Sequence, residues 1–324
     1  MGPSPTALHF PVPGRILLVT NLLDLDAVLP LAVRYALKLH AQLKLFHVLL
    51  GPDEQVRTSF PGFDAKLLTQ RIDAELLLST AALQAQQAGV DCSWALPAGN
   101  LSRALVEIED AWTPDRIMVF RREARAEWEP LDPVTELVLR GASVPVLVVG
   151  AECHAADFMT EKRKMRILFA TSLDREADDV AALVLRFARS HQAELTMLHV
   201  IDCYSASIAW FRRVRQCAEQ RFREMVRDFG AGEVRYIIEH GRVAETLLRV
   251  AKRRNYDFIL IGFVSGASFR TDIQPGAAYK IVCEAPCPVL VLRRDPLCLP
   301  SGAQGVEGEI TLANPYLGLL DKNL

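Results

Sequence analysis

Short apolar runs alternate along the chain with longer segments in which apolar residues recur every three to four positions. Residues 146–149 (VLVV) and 289–292 (VLVL) are continuously apolar, which is typical of strands buried on both faces of a parallel sheet. Residues 25–40 and 176–191 have the spacing of helices that bury one face. Strands that alternate with helices predict an α/β fold with right-handed crossovers.

The same order of elements occurs twice. Residues 41–48 (AQLKLFHV) match residues 193–200 (AELTMLHV), with identical first, third, seventh and eighth residues. Further along, residues 135–149 match residues 278–292 at a similar offset. Matches that keep their order over a repeat of domain length indicate a duplicated domain rather than a solenoid.

The sequence therefore predicts two tandem doubly wound domains, each with a five-stranded parallel sheet. The predicted segments are an N-terminal extension (1–14), a first domain (15–150), a linker (151–164), a second domain (165–294) and a C-terminal tail (295–324). Two apolar stretches in the tail, residues 310–312 and 316–320, are expected to dock on the body or on a partner.

Composition removes several function classes. The net charge is -2 and charged residues make up 23% of the chain, so no electrostatic feature indicates a nucleic-acid or membrane-surface partner. No apolar run approaches the roughly 20 residues that span a bilayer, and residues 1–14 lack the pattern of a secretory signal. The seven cysteines are scattered, which is typical of reduced thiols in a cytoplasmic protein.

Several segments resemble the universal stress protein family. They are residues 193–200, the glycine-led helix that runs from Gly241 to the strand at 257–262 (DFILIG), and residues 285–291 (APCPVLV). The resemblance implies a Rossmann-like fold of the adenine nucleotide alpha hydrolase type, with strand order 3-2-1-4-5. It also implies pairing through last strands, here within one chain as an intramolecular pseudo-dimer, and leaves a homodimer open.

The resemblance further implies two classes of member, one of which binds ATP or a related adenine nucleotide. That class has an aspartate after the first strand and a loop of the form Gly-x2-Gly-x9-Gly-Ser/Thr, whose backbone N–H groups reach the phosphates. The first copy lacks these groups: Asn21 replaces the aspartate, residues 121–125 read RREAR, and Asp132 and Pro133 end the loop. Its arginines either attract an anion or form a solvated charged loop.

The second copy keeps part of the loop. Gly266 and Gly276 have the x9 spacing, but three residues rather than two separate Gly262 from Gly266. In the other register, Ser265 and Pro275 take the second and third glycine positions. A candidate nucleotide site and an ordinary Gly/Ser loop both remain open. The candidate residues are Ser172, Gly262, Ser265, Gly266, Gly276 and Ala277.

Other constellations receive structural interpretations. His47 and His199 occupy matching places near the end of the second strand, which indicates an inherited structural role. Cys283 and Cys287 have no further ligands in sequence for a metal, and a packing role is expected. Trp210 starts an arginine-rich helix in the second copy that is either a partner surface or an amphipathic helix.

The function expected from the sequence is that of a non-enzymatic binding and regulatory protein of the stress response. It is expected to act through protein partners or self-association and to need no cofactor. One alternative is an ATP or adenine-nucleotide switch in the second domain, with slow hydrolysis not excluded. The other is a carrier of a hydrophobic small molecule in the clefts left by the lost phosphate loops.

Overall fold

In a computed structural model, residues 14–49, 63–122, 131–153, 163–173, 177–201, 208–227, 234–264 and 276–294 are described. Strands and helices alternate through both copies. The elements of the first copy are β1 (Arg15–Val19), α1 (Leu25–Leu39), β2 (Gln42–Phe46), α2 (Phe63–Gln87), β3 (Cys92–Ala95), α3 (Leu101–Trp112), β4 (Arg116–Arg121), α4 (Pro133–Gly141) and β5 (Val146–Gly150).

The second copy repeats this order. Its elements are β6 (Arg166–Ala170), α5 (Ala177–Ser190), β7 (Glu194–Ile201), α6 (Ile208–Arg227), β8 (Val234–His240), α7 (Val243–Arg254), β9 (Phe258–Val264), α8 (Ala277–Glu284) and β10 (Val289–Arg294). The predicted tail segments at 310–312 and 316–320 lie outside the described residues.

The chain forms two compact units. The first contains the described residues up to Arg163 together with Ala285–Val291, and the second contains Lys164–Glu284 and the described residues from Leu292 onward. The first unit therefore includes the first half of β10 in addition to the five strands of the first copy.

Within the first unit, the strand order is β3-β2-β1-β4-β5, and these strands are parallel to their neighbours. β10 runs antiparallel to β5, with Val289 opposite Val148 and Val291 opposite Val146. The predicted pairing of the two last strands is confirmed. It satisfies backbone groups of β5 that an unpaired edge would expose.

In the second copy, the strand order is β8-β7-β6-β9, with β10 next to β9. β6, β7, β8 and β9 form parallel pairs. Both copies thus have the predicted order 3-2-1-4-5 and the α/β class is confirmed. Central strands are buried on both faces, as their apolar sequence requires: all residues of β5 are buried, and Ile16, Leu17 and Leu18 of β1 are fully so.

Candidate functional site

A tight turn follows the first strand of each copy. The Thr20 hydroxyl accepts a hydrogen bond of 3.0 Å from the Leu22 N–H, and the Thr171 hydroxyl accepts one of 3.2 Å from the Leu173 N–H. Leu22 and Leu173 both have left-handed backbone conformations, with φ of 71° and 62°. A branched apolar residue rarely adopts this conformation. The same turn with the same rare conformation has therefore been retained at the carboxyl ends of β1 and β6.

The two matched histidines hold these turns. His47 Nδ1 lies 2.8 Å from the Thr20 carbonyl oxygen, and His199 Nδ1 lies 3.0 Å from that of Thr171. Because a carbonyl only accepts, each Nδ1 carries the proton and donates. Burial lowers the pKa of His47, which favours the neutral ring. The structural interpretation of these histidines is confirmed: they tie the ends of β2 and β7 to the neighbouring turns.

The groups that replace the nucleotide aspartate differ between copies. Asn21 Oδ1 accepts a hydrogen bond of 3.0 Å from the Leu23 N–H, so this side chain closes a local turn. Ser172, at the same place after β6, is exposed. Neither side chain supplies the carboxylate that the nucleotide class of the family uses.

Arg121 ends β4, Arg122 and Arg125 follow it, and the first two of these three arginines have carboxylate partners. Arg122 Nε lies 2.7 Å from Asp24 Oδ2, which joins the segment after β4 to the start of α1. Arg121 is 6% exposed at its side chain and lies 2.8 Å from Glu152; it also donates to the Ala285 carbonyl at 3.3 Å. The third, Arg125, lies outside the described residues. The anion-attracting interpretation of this segment thus loses two of its charges to protein carboxylates.

The start of α4 is occupied by a carboxylate. Asp132 is the N-cap of α4, and its Oδ1 accepts a hydrogen bond of 3.0 Å from the Thr135 N–H. Pro133 follows at the first helical position and has no N–H to offer. A helix N-terminus has a partial positive charge that suits an anion. In the first copy a protein side chain uses this charge, at the end of the loop where the nucleotide class binds phosphate.

The start of α8 in the second copy differs from that of α4. Gly276 precedes the helix, and its carbonyl accepts a hydrogen bond of 3.2 Å from the Lys280 N–H. Glycine brings no side chain to the N-terminus, and Ala277 follows it. Lys280 Nζ lies 3.4 Å from Glu245 Oε1. Ser265 and Gly266 lie outside the described residues.

Gly262 has a packing role within β9. A Cβ atom at this position would lie 3.1 Å from both methyl carbons of Val180 on α5, closer than the 3.5–4.0 Å that carbon contacts prefer. Ala170 of β6 pairs with Ile261 of β9, so Ser172, just after β6, and Gly262, in the second half of β9, lie at the same edge of the sheet. The strand register thus supports the nearness of these two predicted residues, while Gly262 has a reason to be glycine that involves no ligand.

Sequence reasoning missed the threonine–leucine turns and the ion pair of Arg122 with Asp24. A signal for the turns exists, because Thr-x-Leu follows the first strand in both copies at Thr20 and Thr171. The ion pair joins residues 98 positions apart and needs the β1–β4 pairing to be known.

The described part of the chain contains neither a cluster of metal ligands nor a membrane-spanning helix. None of its His, Cys, Asp or Glu side chains form a group of three or more that could hold a metal ion. Among the described helices, none has the length and apolarity needed to cross a bilayer.

The model of the universal stress protein family matches this sequence twice, at residues 14–150 and at residues 164–293. The chain belongs to the universal stress protein family. The two matches contain both turns, both histidines and both helix starts described above. The resemblance inferred from the sequence is confirmed.

Solved structures share the tandem fold of this universal stress protein. One is a universal stress protein from Archaeoglobus fulgidus, 20% identical, with a TM-score of 0.66, over 87% of this chain and 99% of its own. Another is a universal stress protein candidate from Pseudomonas aeruginosa, 18% identical, with a TM-score of 0.56, over 88% of this chain and 95% of its own. A search of curated proteins finds no significant match. At these identities the likeness shows the fold alone.

Proposed function

We propose that this universal stress protein is a non-enzymatic binding and regulatory protein of the cytoplasm whose first domain works without a nucleotide. The observation that carries the proposal is the carboxylate of Asp132 at the start of α4. It takes the hydrogen-bond donor and the helix charge that a phosphate would need, and it repels a second anion at close range.

The surrounding groups support the same proposal. The ion pair between Arg122 and Asp24 joins the segment after β4 to the start of α1. The Asn21 side chain is used in its own turn. The two matched histidines each donate their Nδ1–H to a backbone carbonyl, so both hold the turns of the fold.

A second candidate function, an adenine-nucleotide switch in the second domain, is favoured by one observation. Gly276 takes the position before α8 that Asp132 takes before α4, and it puts no carboxylate there. At this position no carboxylate therefore competes with a phosphate for the backbone N–H groups of the helix start.

Calorimetry with ATP, ADP and AMP on the full chain tests both candidates. The leading proposal expects no binding tighter than about 1 mM, or roughly −4 kcal/mol. Micromolar binding, about −8 kcal/mol, would contradict this expectation and would mean that one of the two domains is a working nucleotide site.

Two matched variants assign any binding to a domain. Gly276→Asp gives the second copy the acidic N-cap of the first, and abolition of binding by this variant would establish the switch in the second domain. Asp132→Ser keeps a capping oxygen but removes the charge. If the wild type binds nucleotide and Asp132→Ser alone changes the affinity, the first domain binds it and the leading proposal is wrong.

A further inference from the structure

Helix α2 is apolar on two opposite faces. Its inner face is formed by buried, mostly small residues: Ala74, Leu78, Ala81, Ala82 and Ala85. Its outer face carries four large apolar residues that are more than half exposed: Leu68 at 59%, Ile72 at 56%, Leu76 at 65% and Leu83 at 54%. We call these four residues the α2 stripe. At 100° per residue they fall within about 80° of the helix circumference, so they lie along one side of the helix. Ser79 is exposed on the same side, between Leu76 and Leu83.

The second copy shows that the fold does not require this stripe. The buried residues of α6 are Val214, Ala218, Phe222 and Met225, and they match the spacing of Ala74, Leu78, Ala82 and Ala85 in α2. This alignment places Arg212, Gln216 and Arg223 where α2 has Ile72, Leu76 and Leu83. All three α6 residues are exposed. The outer face of this helix is thus polar at three of the four stripe positions in the second copy. At the fourth, Ile208 aligns with Leu68 and is 76% exposed.

The apolar surface continues from α2 to the edge of the sheet. β3 is the last strand in the order of its sheet, and its Trp94 is 37% exposed. An open groove of about 580 Å³ lies between α2 and β3 and is lined by Leu83, Gln86, Ser93 and Trp94 among others. The stripe and Trp94 thus belong to one surface of the first unit.

We propose that a second copy of this chain covers the α2 stripe, with the two α2 helices packed antiparallel across a two-fold axis. The stripe is suited to such self-association because it has a leucine at each end, Leu68 and Leu83, with Leu76 near its centre. An axis near Leu76 places Leu68 of one copy opposite Leu83 of the other and brings the two Leu76 side chains together. Interdigitating ridges of this kind are the usual way in which two helices pack.

Area supports a second copy as the occupant. A leucine-sized side chain exposes roughly 100–140 Å² of apolar surface when free and a tryptophan about 200 Å². At the observed exposures, the stripe and Trp94 present roughly 300–400 Å² per copy. Since apolar atoms form about 60% of an interface, this corresponds to about 1,200 Å² in total, the lower end of a specific dimer.

Charge also supports it. At one border of the stripe, Arg71 and Glu75 pair with each other on the same helix at 2.8 Å, and Asp73 is exposed beside the other border. The ion pair brings no net charge to its border. A strongly charged partner therefore gains little from this pair, whereas a second apolar stripe gains from burial. The last strands, which the family resemblance associates with dimers, already pair within the chain through β5 and β10.

Sedimentation velocity of the full chain over a range of concentrations tests the proposal. We expect a dimer with a dissociation constant of about micromolar strength. The variant Ile72→Arg/Leu76→Gln/Leu83→Arg gives α2 the outer residues of α6, which the fold accepts. It should weaken the dimer by about 100-fold or more, because the dimer meets each change twice. Circular dichroism and thermal melting check that the variant is folded.

Leu77→Gln is the matched control. Leu77 is 48% exposed on the same helix but lies about 100° around it from Leu76, and its substitution should leave the dissociation constant within twofold. A dimer that survives the triple variant, or that Leu77→Gln weakens equally, would overturn the proposal. So would a wild type that stays monomeric. If removal of residues 295–324 then produced the dimer, the chain's own tail would be the occupant instead.

Discussion

Replacing Gly262 by alanine separates a packing role of this glycine from a phosphate-binding role. The new Cβ would lie 3.1 Å from both methyl carbons of Val180. Val180 is 8% exposed and belongs to α5, so it has little room to move away. We expect Gly262→Ala to lower the free energy of unfolding of the second domain.

The size of the effect follows from two opposing terms. Overpacking a well-packed site costs about 1–3 kcal/mol. Alanine is favoured over glycine within a strand by about 0.5–1 kcal/mol, so the net loss should be about 1 kcal/mol. Val180→Ala alone removes two carbons from a buried site and should cost about 1.5–2.5 kcal/mol.

The double variant provides the decisive comparison. With Val180 shortened, the close contact is gone, and Gly262→Ala should become neutral or stabilising by up to about 1 kcal/mol. The coupling energy between the two sites is then about 1–2 kcal/mol, within the range measured for residues in contact. Urea denaturation measures it, and hydrogen exchange of peptides from β6 and β9 assigns the transition to the second domain.

Two results would refute this reasoning. One is an equal cost of Gly262→Ala in both backgrounds, since no contact with Val180 would then be involved. The other is a Gly262→Ala variant with unchanged stability that loses measurable nucleotide affinity. That outcome would assign Gly262 to a phosphate loop and would support the second candidate function.

Two further predictions concern helix caps and thiols. Arg242→Asn should raise the free energy of unfolding by about 0.5–1.5 kcal/mol in thermal denaturation, because Asn100 caps α3 with its side chain while Arg242 gives α7 no such cap. The exposed ion pair that Arg242 would lose is worth less than the new cap. Unchanged stability of the variant would contradict this prediction. Burial raises the pKa of Cys92 to about 12 and that of Cys153 to about 11. Maleimide at pH 8 should therefore label the exposed Cys217 before these two buried thiols, and mass spectrometry of early time points checks the order.

The resemblance to the universal stress protein family implied the strand order and the pairing of residues 146–148 with 289–291. The element types were predictable from the sequence itself, because apolar runs mark the buried strands and the repeat shows the same succession of elements in both copies. These features depend on local pattern and burial, which a sequence displays directly.

The turns after β1 and β6 could not be predicted in the same way. Leucine is not a residue that signals a left-handed conformation, yet Leu22 and Leu173 both adopt it. The conformation follows from tertiary constraints: the threonine hydroxyl holds the turn from within, and the histidine from the neighbouring strand holds it from outside. Only the recurrence of Thr-x-Leu in both copies points to a shared structure.

Gly262 shows why the candidate site was harder to assess than the fold. A glycine near the end of a buried strand suits both a phosphate loop and a close helix contact, and the sequence alone does not distinguish the two roles. The distance to Val180 makes the packing explanation sufficient. The ion pair between Arg122 and Asp24 was hidden for another reason, since it depends on which strand ends lie side by side.

The two copies keep the same turn and histidine but differ at the helix that follows the fourth strand. Since Thr20 with His47 and Thr171 with His199 are retained while the helix start is acidic in one copy and glycine in the other, the frame of the domain does not depend on what occupies that helix start. Removing the Asp132 carboxylate would therefore leave the fold in place at a cost of about 1 kcal/mol. It would not by itself create a phosphate site, because Pro133 still lacks an N–H, so one of the backbone donors at this helix start would remain missing.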